Sequence, residues 1–155
     1  MLETNQTAPD FTSPDQDEQP VKLSQFRGQQ NVVLYFYPKD DTPGCTTEAN
    51  EFTEMADEFA KAGAVVIGVS KDSCEKHRKF IKKHGLKVML LADTSGEVCE
   101  LYHTWALKKF MGREYMGILR ATFVIDKSGK LRHVDYKVKA KGHAATMLDL
   151  VKQLD

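Results

Sequence analysis

The sequence predicts a three-layer α/β/α domain around a central mixed sheet, and three observations carry that prediction. Residues 31–37 (NVVLYFY) and 64–70 (AVVIGVS) are short apolar runs rich in β-branched and aromatic residues, as buried strands are. Between them, Ala49, Phe52, Ala56 and Phe59 recur at spacings of three and four, which makes one face of an amphipathic helix that Gly63 stops. Strand, helix, strand is a βαβ unit, so its two strands should run parallel with a right-handed crossover. Residues 121–126 and 131–138 flank a Lys-Ser-Gly turn and read as an antiparallel hairpin. Parallel and antiparallel pairs together make the sheet mixed.

The remaining elements follow in chain order. Residues 1–30 are polar and punctuated by Pro9, Pro14, Pro20 and Gly28, which suggests a short hairpin turning near residues 15–19. Ser24 is expected to cap one helical turn before Gly28. Ser73 opens a helix that runs to Gly85, with Cys74, His77, Phe80 and Ile81 inward and a basic outer face; His84 sits at its C-terminal end, where the dipole favours it. Residues 88–92 read as a strand and 93–96 as a turn. Residues 97–105 read as a helix with Val98, Leu101, Tyr102 and Trp105 inward, and 107–117 (LKKFMGREYMG) as a loop. Lys137, Lys139 and Lys141 alternate, as charges guarding an edge strand do. The last helix, 144–154, should bury Met147, Leu150, Val151 and Leu154. No repeat or linker interrupts the pattern, and one domain over 1–155 is expected.

Composition narrows the function. Lys plus Arg and Asp plus Glu both number 22, a formal net charge of zero, which argues against a nucleic-acid or membrane-surface protein. No apolar run approaches the roughly 18 residues of a membrane-spanning helix. The N-terminus has neither a basic start nor an apolar signal core, so a cytoplasmic protein is expected. Three cysteines, an odd number without dense spacing, fit a reducing compartment in which any disulfide is transient and catalytic.

Cys45 falls where the first strand ends and the first helix begins. A helix N-terminus offers unpaired N–H groups and partial positive charge, and both favour a thiolate over a thiol. Thr42 is placed to be the N-cap, Pro43 to take the first helical position, and Gly44 to let another molecule approach closely. A buried structural cysteine is the plain alternative. A dithiol oxidoreductase needs C-x-x-C, whereas this tetrad is Thr42-Pro43-Gly44-Cys45. A phosphatase-type C-x5-R fails because Glu51 stands in the Arg position. A thiolate beside a hydroxyl cannot close a disulfide within the motif, but it can attack a small molecule that the hydroxyl helps to hold.

The P-x-x-x-T-x-x-C pattern at Pro38, Thr42 and Cys45 resembles the active-site motif of peroxiredoxins. The surrounding FYPKDDTPGCTTEA resembles the bacterioferritin-comigratory-protein, or peroxiredoxin Q, subfamily. The likeness extends to residues 8–11 (APDF), 23–28 (LSQFRG), 68–73 (GVSKDS) and 117–126 (GILRATFVID). It implies a thioredoxin-like fold with an N-terminal extension. It also implies a thiol peroxidase reducing hydrogen peroxide and organic hydroperoxides through a Cys45 sulfenic acid, with thioredoxin or a similar thiol as reductant. A monomer without a cofactor is expected, with the oligomeric state left open by the sequence itself. In this reading Cys45 is the nucleophile, Thr42 holds the peroxide, Pro38 shields the sulfur and Arg120 supplies a permanent positive charge. A redox-responsive sensor or chaperone with slow turnover is the alternative from another class.

Three further points stay open in the sequence. Cys74/His77 and Cys99/His103 have spacings zinc can use, but no loop knuckle joins the two helices, so no metal site is expected. Phe110, Tyr115 and Trp105 could wall the site's mouth or serve structure alone. Many subfamily members carry a resolving cysteine five residues after the first or in the helix after the second strand. Asn50 and Ile81 occupy those positions here. Either an external thiol attacks the sulfenic acid, or Cys74 resolves it after local unfolding. Cys99, among apolar residues, reads as a small core residue.

Overall fold

The computed structural model describes residues 1–154. Strands β1 (Thr12–Pro14) and β2 (Pro20–Lys22) form the N-terminal hairpin, and the Asp15 carboxylate closes its turn by accepting the Asp17 and Gln19 N–H groups. A single 3-10 turn follows at Leu23–Phe26. Lys22, not Ser24, caps it; Ser24 lies inside the turn and donates its N–H to Asp10.

Strand β3 (Asn31–Phe36) is buried throughout. The helix expected up to Gly63 is two helices, α1 (Pro43–Glu54) and α2 (Ala56–Lys61), which meet at Met55. Phe52 and Phe59 are buried on either side of that break, while Ala56 is only half covered. Strand β4 (Ala64–Ser70) runs parallel to β3, with Asn31 opposite Ala64, as the βαβ reading predicts. Helix α3 (Cys74–His84) starts at the Ser73 cap, whose hydroxyl accepts the Lys76 N–H, and stops at left-handed Gly85. Strand β5 (Met89–Ala92) pairs parallel with β4.

The next stretch corrects the sequence reading. Helix α4 (Glu97–Leu101) ends four residues early, with Leu101 41 % exposed. His103 has φ 60°, and Trp105 belongs to a strand. The expected loop is a hairpin, β6 (Trp105–Phe110) with β7 (Arg113–Ile118). Its tight turn places Met111 and Gly112 at φ 50° and 80°, the left-handed pair that two-residue hairpins need. Strands β8 (Ala121–Ile125) and β9 (Leu131–Asp135) form the expected antiparallel hairpin. β9 ends at Asp135, so Lys137, Lys139 and Lys141 lie beyond the strand and guard no edge of it. Helix α5 (His143–Lys152) buries Met147, Leu148 and Val151, with Leu150 and Leu154 half covered.

The main sheet has the order β5-β4-β3-β8-β9, with β3 parallel to β4 and antiparallel to β8. The period-2 alternation of β3 divides the core. Val32, Leu34 and Phe36 pack with Tyr102 and Phe123 on one face; Val33, Tyr35 and Tyr37 pack with Phe52, Phe80 and Met147 on the other. Helices thus cover both faces, and the chain after central β3 must leave over the carboxyl edge of the sheet, where such folds place ligand sites. No helix among the described residues is long and apolar enough to cross a membrane.

Candidate active site

The loop from Tyr37 to Thr42 leads from β3 into α1 and is clamped to α3. Asp40 is the centre of the clamp: its carboxylate accepts the Tyr37 hydroxyl at 2.5 Å and meets His77 Nδ1 at 2.7 Å. His77 Nε2 donates to the Leu91 carbonyl at 2.9 Å, so both ring nitrogens are engaged. The neighbouring Asp41 pairs with Lys83 at 2.7 Å and His84 at 2.8 Å. His84 therefore serves a carboxylate as well as its own helix end.

Thr42 has the extended backbone of an N-cap, and Pro43 takes the first helical position. The Thr42 hydroxyl makes no capping bond, however, but donates to the Lys39 carbonyl at 2.8 Å. Two consequences follow. The first amides of α1 stay free of a side-chain partner, and the hydroxyl oxygen, its proton already committed, can only accept from a bound molecule.

Cys45, in the first turn of α1, is 2 % exposed. Arg120 comes from the connection between β7 and β8 and reaches it: Nη2 stands 3.3 Å from Cys45 Sγ. The other arm of the fork, Nη1, donates to Glu48 Oε1 at 2.7 Å. A planar guanidinium holds two partners at once in a fixed geometry, which a lysine cannot do. Gly44 makes room for this arrangement; a Cβ there would lie 3.1 Å from Arg120 Nη2. The space beside Gly44, expected to admit another molecule, is thus taken by the chain's own guanidinium.

Glu48 is the functional residue that sequence reasoning missed. Its side chain is fully buried, and Oε2 has no hydrogen-bond partner. Burial pushes its carboxyl up to about 7, against the pull of Arg120. The sequence did hold a signal, because Cys45, Glu48, Ala49 and Phe52 fall at i, i+3, i+4 and i+7, which places a carboxylate within the buried stripe. Burial works against the Arg120 charge too, but Cys45 and Glu48 outweigh it and hold the guanidinium above its ordinary value. A second cation, Lys108, projects from β6 and donates to the Ile118 carbonyl at 2.9 Å; burial and Arg120 lower its ammonium, while Cys45 works in the other direction.

Arg120 and Cys45 meet directly, Thr42 takes the N-cap position three residues before Cys45, and Pro38 stands in the loop that leads from β3 into that helix; Cys74 and Cys99 belong to other helices. Half-buried Pro38 lines a cleft together with Trp105 and Tyr115, whereas Phe110 is 65 % exposed near the hairpin tip. Cys74 is half buried in the first turn of α3, and all three thiols are free. Cys99 is fully buried, and burial followed by the Asp93 carboxylate pushes its thiol far up. Among the described residues, no group of three or more His, Cys, Asp or Glu could hold a metal ion.

A thioredoxin-like sheet that presents a buried cysteine at a helix start, bridged by an arginine, defines a class of thiol proteins. The AhpC/TSA family model matches residues 4–134. Peroxiredoxin Bcp of Bacillus subtilis is 49 % identical over 153 residues, covering 99 % of this chain and 97 % of that protein. Peroxiredoxin Bcp of Escherichia coli is 43 % identical over 152 residues, covering 98 % and 97 %. Among solved structures, the bacterioferritin comigratory protein of Xanthomonas campestris superposes with a TM-score of 0.88 at 34 % identity, over 98 % of this chain and 96 % of that one. The chain belongs to the AhpC/TSA family and, within it, to the Bcp-type peroxiredoxins.

Proposed function

We propose that this protein is a thiol peroxidase that reduces hydrogen peroxide and organic hydroperoxides at Cys45. The observation that carries the reading is the Arg120 fork, with one arm on Cys45 Sγ at 3.3 Å and the other on Glu48 at 2.7 Å. It holds a permanent positive charge against the sulfur, in a site where water is scarce and charge interactions are strong. The X. campestris relative, described by its alkyl peroxide reduction activity, supports organic hydroperoxides as substrates.

The residues divide the chemistry as follows. The peroxide O–H donates to Thr42 Oγ1, which orients the O–O bond along the line of attack. The Cys45 thiolate forms an S–O bond as the O–O bond breaks. The departing oxygen carries the negative charge, which Arg120 stabilises until a proton arrives. Pro38, without an N–H, covers the sulfur and offers no competing donor. Cys45 is left as a sulfenic acid.

A thiol then restores Cys45. Thioredoxin or a similar thiol acting on a monomer in the cytoplasm is the proposed setting. Reduction proceeds either directly on the Cys45 sulfenic acid or through a Cys45–Cys74 disulfide formed after both helix starts unravel. The deciding test is stopped-flow peroxide consumption. Cys45→Ser should abolish it; consumption at the wild-type rate would defeat the proposal. Rapid multiple turnover with added thiol separates an enzyme from a redox sensor, which would turn over only slowly.

A further inference from the structure

Beside the Cys45 site lies a cleft of about 550 Å³, within the range of small-molecule sites. Pro38 forms part of its wall, and Ser73 and Lys76, the neighbours of Cys74, form another part. Lys108, which feels the charge of both Cys45 and Arg120, closes it from the hairpin. Neither thiol lines the cleft itself, but Pro38 of the Cys45 motif and Ser73, next to Cys74, both do.

Its charge is lopsided. Lys39, Lys71, Lys76 and Lys108 face it, against the single carboxylate of Asp72. That carboxylate accepts the Asp40 N–H at 2.9 Å and the Ser70 hydroxyl at 2.7 Å, both on Oδ2. Among the described residues, the lysines that pair with carboxylates are others: Lys22, Lys79, Lys83 and Lys109. Two of the cleft ammonium groups are held in place without being neutralised: Lys71 Nζ lies 4.1 Å over the Trp105 ring, and Lys108 Nζ rests on a backbone carbonyl. The chain as a whole has zero formal net charge, so this is a local concentration of positive charge and not the average of a basic protein.

A hydroperoxide group needs only room for two oxygens beside Cys45, which a cleft of this size far exceeds. Asn50 and Ile81 stand where a resolving cysteine is expected, and on the direct route an external thiol must supply the missing sulfur. The geometry points to this cleft as the binding site of the recycling reductant, a low-molecular-mass thiol that carries two or more carboxylates. This inference rests on the peroxidase reading and takes its direct route, with a small thiol and not thioredoxin as the reductant. The bound thiol attacks the Cys45 sulfenic acid, an S–S bond forms, the S–O bond breaks, and the hydroxide leaves with the thiol proton as water. A second molecule of the same thiol attacks the outer sulfur, releasing the Cys45 thiolate and a symmetrical disulfide. The two thiols supply the two electrons that the peroxide removed.

Mercaptosuccinate and its dimethyl ester serve as probes, with each rate referred to the thiolate present. The protein is first oxidised with one equivalent of peroxide, and the Cys45 sulfenic acid is verified by mass. At low ionic strength the dicarboxylate should reduce it about tenfold faster than the ester. The advantage should vanish in about 0.5 M salt and in a Lys71→Gln/Lys76→Gln variant whose thermal unfolding matches wild type. Equal rates for the two thiols, or an advantage that survives in the variant, overturns the proposal. So does reduction by a protein dithiol alone, or a salt-sensitive preference found only for a carboxylate-bearing hydroperoxide in the oxidation step. Oxidised Cys45 without a thiol preference defeats the reductant site alone; failure to oxidise Cys45 at all defeats the peroxidase reading and this inference with it.

Discussion

Cys45 and Cys99 are the same residue at the same helical position in opposite surroundings. Each is the third residue of its helix, and they are 2 % and 0 % exposed. At α4 the Asp93 carboxylate accepts the Val98 and Cys99 N–H groups at 3.1 and 2.9 Å, so an anion occupies the positive helix end. Burial and that anion together push the Cys99 thiol up. At α1 the Thr42 hydroxyl turns away to Lys39, no carboxylate takes the free amides, and the Arg120 guanidinium stands over the sulfur instead. A helix N-terminus is therefore not enough to activate a cysteine. What else occupies that end separates the proposed nucleophile from the core residue.

The comparison breaks most visibly by deleting one thiol at a time, with Cys45→Ser losing peroxide consumption as described above. Next in size, Arg120→Ala should slow the peroxide step by about 10²- to 10³-fold, the usual effect of removing one preorganised charge donor. Stopped-flow decay at an unchanged rate would take Arg120 out of the site. Gly44→Ala should slow it several-fold, because the new methyl presses on Arg120 Nη2 from 3.1 Å; a crystal structure would display the displaced guanidinium. Cys99→Ser should leave the rate unaltered.

Glu48 sharpens the comparison through pH. Its carboxyl, ordinarily 4.5, is raised to about 7 by burial, so between those values the folded chain keeps a proton that the unfolded chain has lost. Stability from this group falls as pH rises through that window. His143 acts oppositely: burial lowers it from 6.5 to about 4, so stability is lost as pH falls through that interval. Between pH 4.5 and 6.5 the two effects should largely cancel in wild type. In Glu48→Gln only the His143 slope remains, and stability should rise with pH by about 1.4 kcal/mol per unit over that range. Denaturant titrations at stepped pH measure it, and identical pH profiles for the two proteins would contradict the assignment.

The βαβ unit, the Ser73–Gly85 helix and the C-terminal hairpin were legible because their apolar periods and punctuation agree. The β6–β7 hairpin was not. Leu101, Tyr102 and Trp105 sit at helical spacings by coincidence, and Met111-Gly112 is a weaker turn signal than Asn-Gly. Pro38, Thr42 and Cys45 were legible as a motif and Arg120 through the resemblance, and the structure sets Arg120 against Cys45. The Asp40–His77 clamp was not, since it joins residues 37 positions apart through a buried contact that no local pattern encodes. Glu48 lay hidden because a glutamate in a helix ordinarily reads as solvent-facing.

The most direct test of the contrast is to ask which sulfur takes the oxygen. Wild-type protein is treated with less than one equivalent of hydrogen peroxide in the presence of dimedone, which traps sulfenic acids, and its peptides are then mapped by mass. The account predicts the adduct on the Cys45 peptide and none on the Cys99 peptide, with the Cys45 adduct sharply reduced in Arg120→Ala. An adduct on Cys99, or equal labelling of Cys45 with and without Arg120, would contradict it.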